Sequence, residues 1–183
     1  MSCRIMSADD ERATKLAKAF QFSKNLRSDR VPAEIRPGLF LGSLEAVKNS
    51  EFLKIHGVTT VLSLTGLVSS KTAAELLSVV GVAHHVVVPI ADTPKEDLLA
   101  ILPQCFDAIS RGIAMWDPVT ARGGILVHCV QGRSRSPAVV VAFLMKTEEM
   151  TFDAALHEVS KQRTGVALNP GFANQLRSWK SDS

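Results

Sequence analysis

Val127-His128-Cys129-Val130-Gln131-Gly132-Arg133-Ser134-Arg135-Ser136-Pro137 carries a buried apolar strand, Ile125-Leu126-Val127, through a short loop into a helix whose first turn accepts Pro137. A strand–loop–helix passage of this kind turns successive backbone N–H groups into one concavity at the helix N-terminus. Unsatisfied donors and the helix dipole together favour an anion there. Gly132 permits a tight loop conformation that a Cβ resists. Arg135 stands where its planar fork grips two oxygens of a phosphate. Cys129, at the strand end, faces the same concavity, and a helix N-terminus with nearby cations favours its thiolate, the nucleophilic form. The same feature therefore binds a phosphate dianion and prepares a nucleophile.

Outward from this stretch, strands alternate with helices. Residues 38–42 read as a short strand after a turn, Ser50 caps a short helix that Gly57 ends, and 58–64 is a buried, β-branched strand. A helix over 71–80 stops at Gly81, and the following strand, 82–90, is apolar enough to lie in the middle of a sheet. Thr93-Pro94-Lys95-Glu96 has the form of a capping box. Pro103 cannot donate inside a helix, so a loop or short turn is expected to about Leu98 and the main helix from there through Ile113. Residues 111–124, with Gly112, Pro118, Gly123 and Gly124, read as a loop. Helices are expected at about 136–147, at 151–162 with Thr151 as cap, and at 170–180 with Asn169 as cap and Pro170 in the first position.

The pattern predicts an α/β fold: a central, mainly parallel twisted sheet of four or five strands flanked by helices. The domain spans 34–180. Residues 1–33 form an N-terminal extension whose stretch 8–27 is helix-compatible, with Leu16, Ala19, Phe20 and Ser23 on one stripe. That helix is either solvated and loosely docked, or a partner-binding or autoinhibitory element.

Composition bounds the function. The 183 residues carry 21 basic and 18 acidic side chains, a net charge of +3, with 46% apolar content, which suits one folded domain and argues against disorder. Lys and Arg are scattered singly, so there is no basic coat for nucleic acid, although one basic site for an acidic ligand remains open. The three cysteines, Cys3, Cys105 and Cys129, form no C-x-x-C pair, which leaves little support for a disulfide framework or a cysteine zinc site. The start, MSCRIMSADDER, has no apolar stretch of the kind a secretory signal needs, and no apolar run reaches the ~18 residues of a membrane span.

HCVQGRSRS resembles the C-x5-R active-site loop of cysteine-dependent protein tyrosine phosphatases, and most closely that of the small, atypical dual-specificity phosphatases. The resemblance runs from about Glu34 to Leu176. EIRPGLFLGSLEAVKN is similar to the family's opening strand and turn, with Phe40 where Tyr is usual. The stretch Asn169-Pro170-Gly171-Phe172-Ala173-Asn174-Gln175-Leu176 resembles its closing helix, with Leu168 in place of the usual proline. The resemblance implies a phosphotyrosine-phosphatase-like fold in which Cys129 attacks phosphorus and forms a phosphocysteine. It implies that Arg135 and the loop Val130, Gln131, Gly132, Arg133 and Ser134 hold the equatorial oxygens. Ser136 would ease departure of the thiolate, His128 would tune Cys129 from behind, and Asn169 would support the loop.

Releasing a serine, threonine or tyrosine oxygen also calls for an acid. Asp92, directly after a buried strand in Pro89-Ile90-Ala91-Asp92-Thr93-Pro94, resembles the family's general-acid loop. Aspartates at strand ends also serve as Asx-turn or cap residues. Glu96 and Asp97 compete for the acid role, one of them better explained by helix capping.

Other residues read more plainly. Cys105 shares an apolar helix face with Leu102, Phe106 and Ile109 and reads as core rather than as a resolving thiol. His84 and His85 lack a further ligand at metal spacing and read as strand residues. Trp116 either flanks the substrate entrance or sits in a loop away from it.

The expected function is a protein phosphatase acting on phosphotyrosine and phosphoserine/threonine monoesters. No metal or organic cofactor, no nucleic acid and no membrane is expected, and the partner is a phosphorylated protein in the cytoplasm or nucleus. Two alternatives stand beside it. One is the same chemistry on a phosphoinositide, a glucan or an RNA 5′ phosphate; the other is a non-catalytic phosphate-binding scaffold.

Overall fold

The computed structural model describes residues 29–65 and 81–179. The helices expected at 8–27 and 71–80, and Cys3, lie outside the described residues. In chain order the elements are β1 (Ala33–Arg36), β2 (Leu39–Gly42), α1 (Leu44–Val47), α2 (Ser50–Ile55), β3 (Thr60–Ser63), β4 (His84–Val87), α3 (Leu98–Ala114), β5 (Ile125–His128), α4 (Arg135–Thr147), α5 (Phe152–Gln162) and α6 (Pro170–Ser178). The strands form one sheet in the order β1-β2-β5-β3-β4. Its pairs are parallel except β1 with β2, so the α/β reading of the sequence holds.

Strand periodicity sorts the core into two layers. Leu39, Leu41, Leu62, Ile125 and Val127 share one face and pack with buried residues of α3 to α6. Phe40, Val61 and Leu126 point the other way, onto Val47, Leu53 and Val58 of the α1–α2 side. A parallel sheet covered on both faces needs apolar residues at nearly every position, and the three inner strands have them. Helix α4 is the innermost: every residue from Ser136 to Met145 is buried. Fully burying side chains such as its valines and leucine contributes about 1.5–3 kcal/mol each, so this helix anchors the loop in front of it.

Four local expectations change. The strand expected at 82–90 is only β4, and it lies at the sheet edge rather than the middle. It occupies that edge because β5 takes β3's other side, which leaves β4 a single strand neighbour. Its apolar neighbours Val82, Val88 and Ile90 are buried outside the strand, while His84 and Val87 are exposed. Asn49, not Ser50, caps α2, its side chain accepting from the Phe52 N–H at 3.1 Å. The capping-box reading of 93–96 gives way to Asp97, whose carboxylate accepts the Ala100 N–H at 3.1 Å. Finally, α3 continues to Ala114 through Gly112. That glycine belongs to the helix because a Cβ there would lie 2.5 Å from the Ile125 Cβ, so it lets α3 approach β5.

The layering yields a stability contrast. Leu126→Ala, in the middle strand, is expected to cost about 2–5 kcal/mol, whereas Val87→Thr on the exposed edge should stay within about 0.5 kcal/mol. Urea unfolding of both variants measures the difference, and equal costs would contradict the strand order.

Candidate active site

In a parallel sheet the carboxyl ends of the strands converge, and ligands bind beyond them. Gly42, Ser63 and His128 end β2, β3 and β5 in register, and Asp92 follows β4 on the same side. There a cleft of about 440 Å³ is lined by residues that include Asp92, Cys129, Arg135 and Asn169. Trp116 is elsewhere. Its loop feeds the start of β5, at the opposite end of the sheet, and its ring packs against Phe40 with centroids 6.2 Å apart.

The loop after β5 is held from outside through its carbonyls. Val130 O accepts from Leu44 N at 3.1 Å, and Arg133 O from Ala167 N at 2.8 Å. Between them, Gly132 O accepts from Arg163 Nε at 2.9 Å and Gln131 O from Arg163 Nη2 at 3.3 Å. A trans peptide places its N–H opposite its C=O. Four carbonyls turned outward therefore aim the N–H groups of Gln131, Gly132, Arg133 and Ser134 inward. Gly132 takes φ +66° to make the turn, and its N–H reaches Cys129 Sγ at 3.2 Å. The result is an anion cradle at the N-terminus of α4.

Cys129 is 1% exposed, and its sulfur also accepts from Ser136 Oγ at 3.2 Å. Two hydrogen bonds, one from the loop and one from the first turn of α4, therefore converge on the sulfur. The Arg135 side chain reaches across the cleft, its Nη1 donating to Leu64 O and Ile90 O at 3.4 Å each. Its Nε is buried with no hydrogen-bond partner, and the nearest acid oxygen, Asp92 Oδ2, is at ion-pair distance, 3.5 Å. A buried guanidinium N–H without a hydrogen-bond partner, beside a cradle of amides, calls for an anion.

Asp92 stands over the loop. Its Oδ1 accepts from Ser134 Oγ at 2.6 Å and from Asn169 Nδ2 at 2.9 Å. Asn169 caps α6 through its Oδ1, which accepts from Phe172 N, while its own N–H donates to Ser134 Oγ at 3.0 Å. One asparagine thus joins the acid segment, the loop and α6. Gly171 lets that segment come close, since a Cβ there would lie 2.2 Å from Pro94 O. Gln175 clamps the same segment, donating to Glu96 O at 2.8 Å and accepting from Leu98 N at 2.9 Å. Asp97 is occupied as a cap, whereas the Asp92 carboxylate lines the cleft with Cys129.

His128 lies behind the loop, 0% exposed. Its Nδ1 donates to Cys129 O at 3.2 Å, which leaves Nε2 to accept from Ser63 Oγ; Ser63 Oγ in turn accepts from His85 Nε2 at 2.8 Å. Burial, reinforced by nearby His85 and Arg135, pushes the His128 pKa down to about 4, so the ring is neutral near pH 7. Its link to Cys129 is a hydrogen bond to the backbone, not a positive charge. Burial likewise pushes the Cys105 thiol up to about 12, an inert core group.

The sequence reading had no place for Arg163, Ser63 or His85 in the site. Arg163 ends α5 among charged residues and looks like a solvated terminus, yet its side chain is 6% exposed. No spacing signal marks it, because its partners lie in a loop about 30 residues earlier.

Comparison with known proteins identifies this architecture. The family model for the dual specificity phosphatase catalytic domain matches residues 39–182. The chain belongs to the dual-specificity phosphatase family. By that membership it is a phosphatase. Dual specificity protein phosphatase 19 of Mus musculus is 33% identical over 87% of this chain and 66% of its own length. Dual specificity protein phosphatase 1B of Arabidopsis thaliana is 32% identical over 86% of each chain. The crystal structure of human DUSP28 superposes with a TM-score of 0.65 at 33% identity, covering 80% of this chain and 90% of that one. The chain thus spans about two thirds of the mouse relative and most of the plant one. Among the described residues no helix is long and apolar enough to cross a membrane.

The neutral His128 makes stability pH-dependent. The unfolded ring binds a proton below about 6.5 and the folded ring only near 4, so stability present above 6.5 falls as pH drops through this window. Between pH 7 and 4.5 the wild type should lose about 2–3 kcal/mol more than His128→Asn. Denaturant titrations at both pH values measure this, and identical losses would show that His128 is not held neutral.

Proposed function

We propose that this phosphatase hydrolyses phosphotyrosine and phosphoserine/threonine monoesters of proteins through a phosphocysteine intermediate. The observation that supports it is the convergence of Cys129 Sγ, the inward amides of the loop and an Arg135 Nε without a hydrogen-bond partner on one cleft that Asp92 overlooks.

In the first step the Cys129 thiolate attacks phosphorus, the S–P bond forms and the bond to the ester oxygen breaks. Asp92 gives its proton to that oxygen, and the alcohol or phenol leaves. Arg135 and the amides of Gln131, Gly132, Arg133 and Ser134 meet the three equatorial oxygens, where charge redistributes. In the second step water attacks phosphorus, Asp92 takes its proton, the S–P bond breaks and phosphate is released. The Ser136 hydroxyl, already bonded to sulfur, stabilises the departing thiolate. His128 holds the Cys129 carbonyl and takes no part in proton transfer.

The substrate partner is a phosphorylated protein, and the chemistry itself calls on no metal or organic cofactor. The cytoplasm or nucleus, where thiols stay reduced, suits a catalytic thiolate.

Cys129→Ser should abolish turnover of phosphotyrosine and phosphothreonine peptides while retaining binding of the phosphate ester, because a hydroxyl near neutrality is not ionised. Peptide turnover and isothermal titration read the two effects, and substantial residual turnover would remove the phosphocysteine. Faster turnover of phosphoinositides or RNA 5′-triphosphate than of peptides by the wild type would overturn the protein substrate.

A second test isolates the acid. Asp92→Asn should slow alkyl phosphates by about 10²–10⁴ and aryl phosphates with acidic leaving groups far less, since a departing oxygen needs a proton only when it is basic. Comparing kcat across leaving groups of graded basicity checks this; uniform losses would place the acid on another residue.

A further inference from the structure

Arg163 is a cation buried against the loop. Where a side chain on Gly132 would begin, Arg163 Nη2 already stands at 2.6 Å, so the guanidinium lies directly beneath the turn. It gives one bond to Gly132 O and one to Gln131 O, both neutral acceptors. Its charge is met by a third partner, Asp29 Oδ1, 2.8 Å from Nη2. Leaving a buried charge without its counter-charge is strongly unfavourable, so the carboxylate matters to where the fork rests.

Asp29 belongs to the segment before the catalytic domain and precedes the span of the family match, which begins at residue 39. That segment is tied down where it meets the domain. Ser43 Oγ donates to Asp29 O at 3.1 Å, and Asn49 Nδ2 donates to Arg30 O at 2.9 Å. Ser43 and Asn49 are the caps of α1 and α2, so the backbone that presents the carboxylate is fixed to the same elements that flank the loop. Leu44, the first residue of α1, itself holds Val130 O.

We propose that Asp29 is a positioning residue for the phosphate-binding loop, acting through Arg163. The proposal rests on the reading of residues 129–135 as the loop that holds the transferred phosphoryl group. Asp29 touches neither substrate nor sulfur. It holds the guanidinium that turns the Gln131 and Gly132 carbonyls outward, and thereby aims the N–H groups of Gly132 and Arg133 at the equatorial oxygens. Those oxygens flatten into a plane only in the transition state, so misaimed donors cost more there than in the bound ester. The effect belongs in kcat rather than in KM.

The test uses the full chain with para-nitrophenyl phosphate as substrate, orthovanadate as a five-coordinate mimic of the transition state, and inorganic phosphate as a ground-state ligand. Asp29→Asn keeps size and an acceptor oxygen but drops the charge. It should lower kcat by about tenfold with KM within about twofold, and weaken vanadate inhibition by a similar factor while phosphate inhibition hardly changes. Asp29→Glu, which restores the carboxylate, should recover most of the loss. Arg163→Lys keeps the charge and loses the two-point hold on the carbonyls, so it should reproduce the vanadate defect. Wild-type kcat in Asp29→Asn would overturn the proposal. So would a lowered melting temperature with kcat and vanadate inhibition intact, since that marks a merely structural contact. Cys129→Ser separates this from the mechanism: its residual turnover would unseat the loop reading itself, whereas an inert Cys129→Ser beside an unaffected Asp29→Asn would unseat only the role of Asp29.

Discussion

The site depends on one constraint, the outward turn of four consecutive carbonyls in the loop between β5 and α4. A peptide cannot aim its N–H into a cleft unless its C=O finds a partner on the other side. Here those partners come from three directions: α1 through Leu44, the end of α5 through Arg163, and the approach to α6 through Ala167. The rest of the molecule can be read as the scaffold that brings these three groups to one place. The buried α4 fixes the end of the loop, the inner strand β5 fixes its beginning, and the surrounding elements fix its middle.

The same economy governs the charged groups. Arg135 is braced by carbonyls at the ends of β3 and the chain after β4, with Nε left for a ligand. Asp92 is held by Ser134 and Asn169 on one oxygen, with the other facing Arg135. Neither group is free to wander, so little ordering is left for substrate binding to supply, the condition under which fixed dipoles act most strongly on a transition state. His128 belongs to this frame as a neutral strut. Its hydrogen bonds run from Cys129 O to Ser63 and on to the half-buried His85.

Much of the fold was legible in the sequence. The three inner strands announce themselves as short apolar runs, and the caps Thr151 and Asn169 mark helix starts because a short polar side chain is needed there. The loop was legible for the same reason: a thiol, a glycine and an arginine at fixed offsets are a pattern of local geometry alone. Asp92 and Asp97 lie five residues apart in the sequence, and only the fold puts one on the cleft and the other at the cap of α3. Gly112 misled, because a glycine written into a sequence does not say whether it serves a turn or a close approach.

What the sequence determined by itself, then, is the chemistry that neighbours along the chain can create: the strand–loop–helix cradle, its thiol and its arginine, and through them the family. Tertiary structure alone decided which distant groups hold that cradle open. Arg163, Leu44 and Ala167 carry no local signature, since they satisfy carbonyls of another segment, and Asp29 carries none because its partner is Arg163, far along the chain. Likewise, β4 lies at the edge because strand order follows from how the chain crosses over, not from how apolar the strand is. Local propensity acts over a few residues, whereas the pairing of buried polar groups and the order of strands are settled only when segments far apart in the chain compete for the same space.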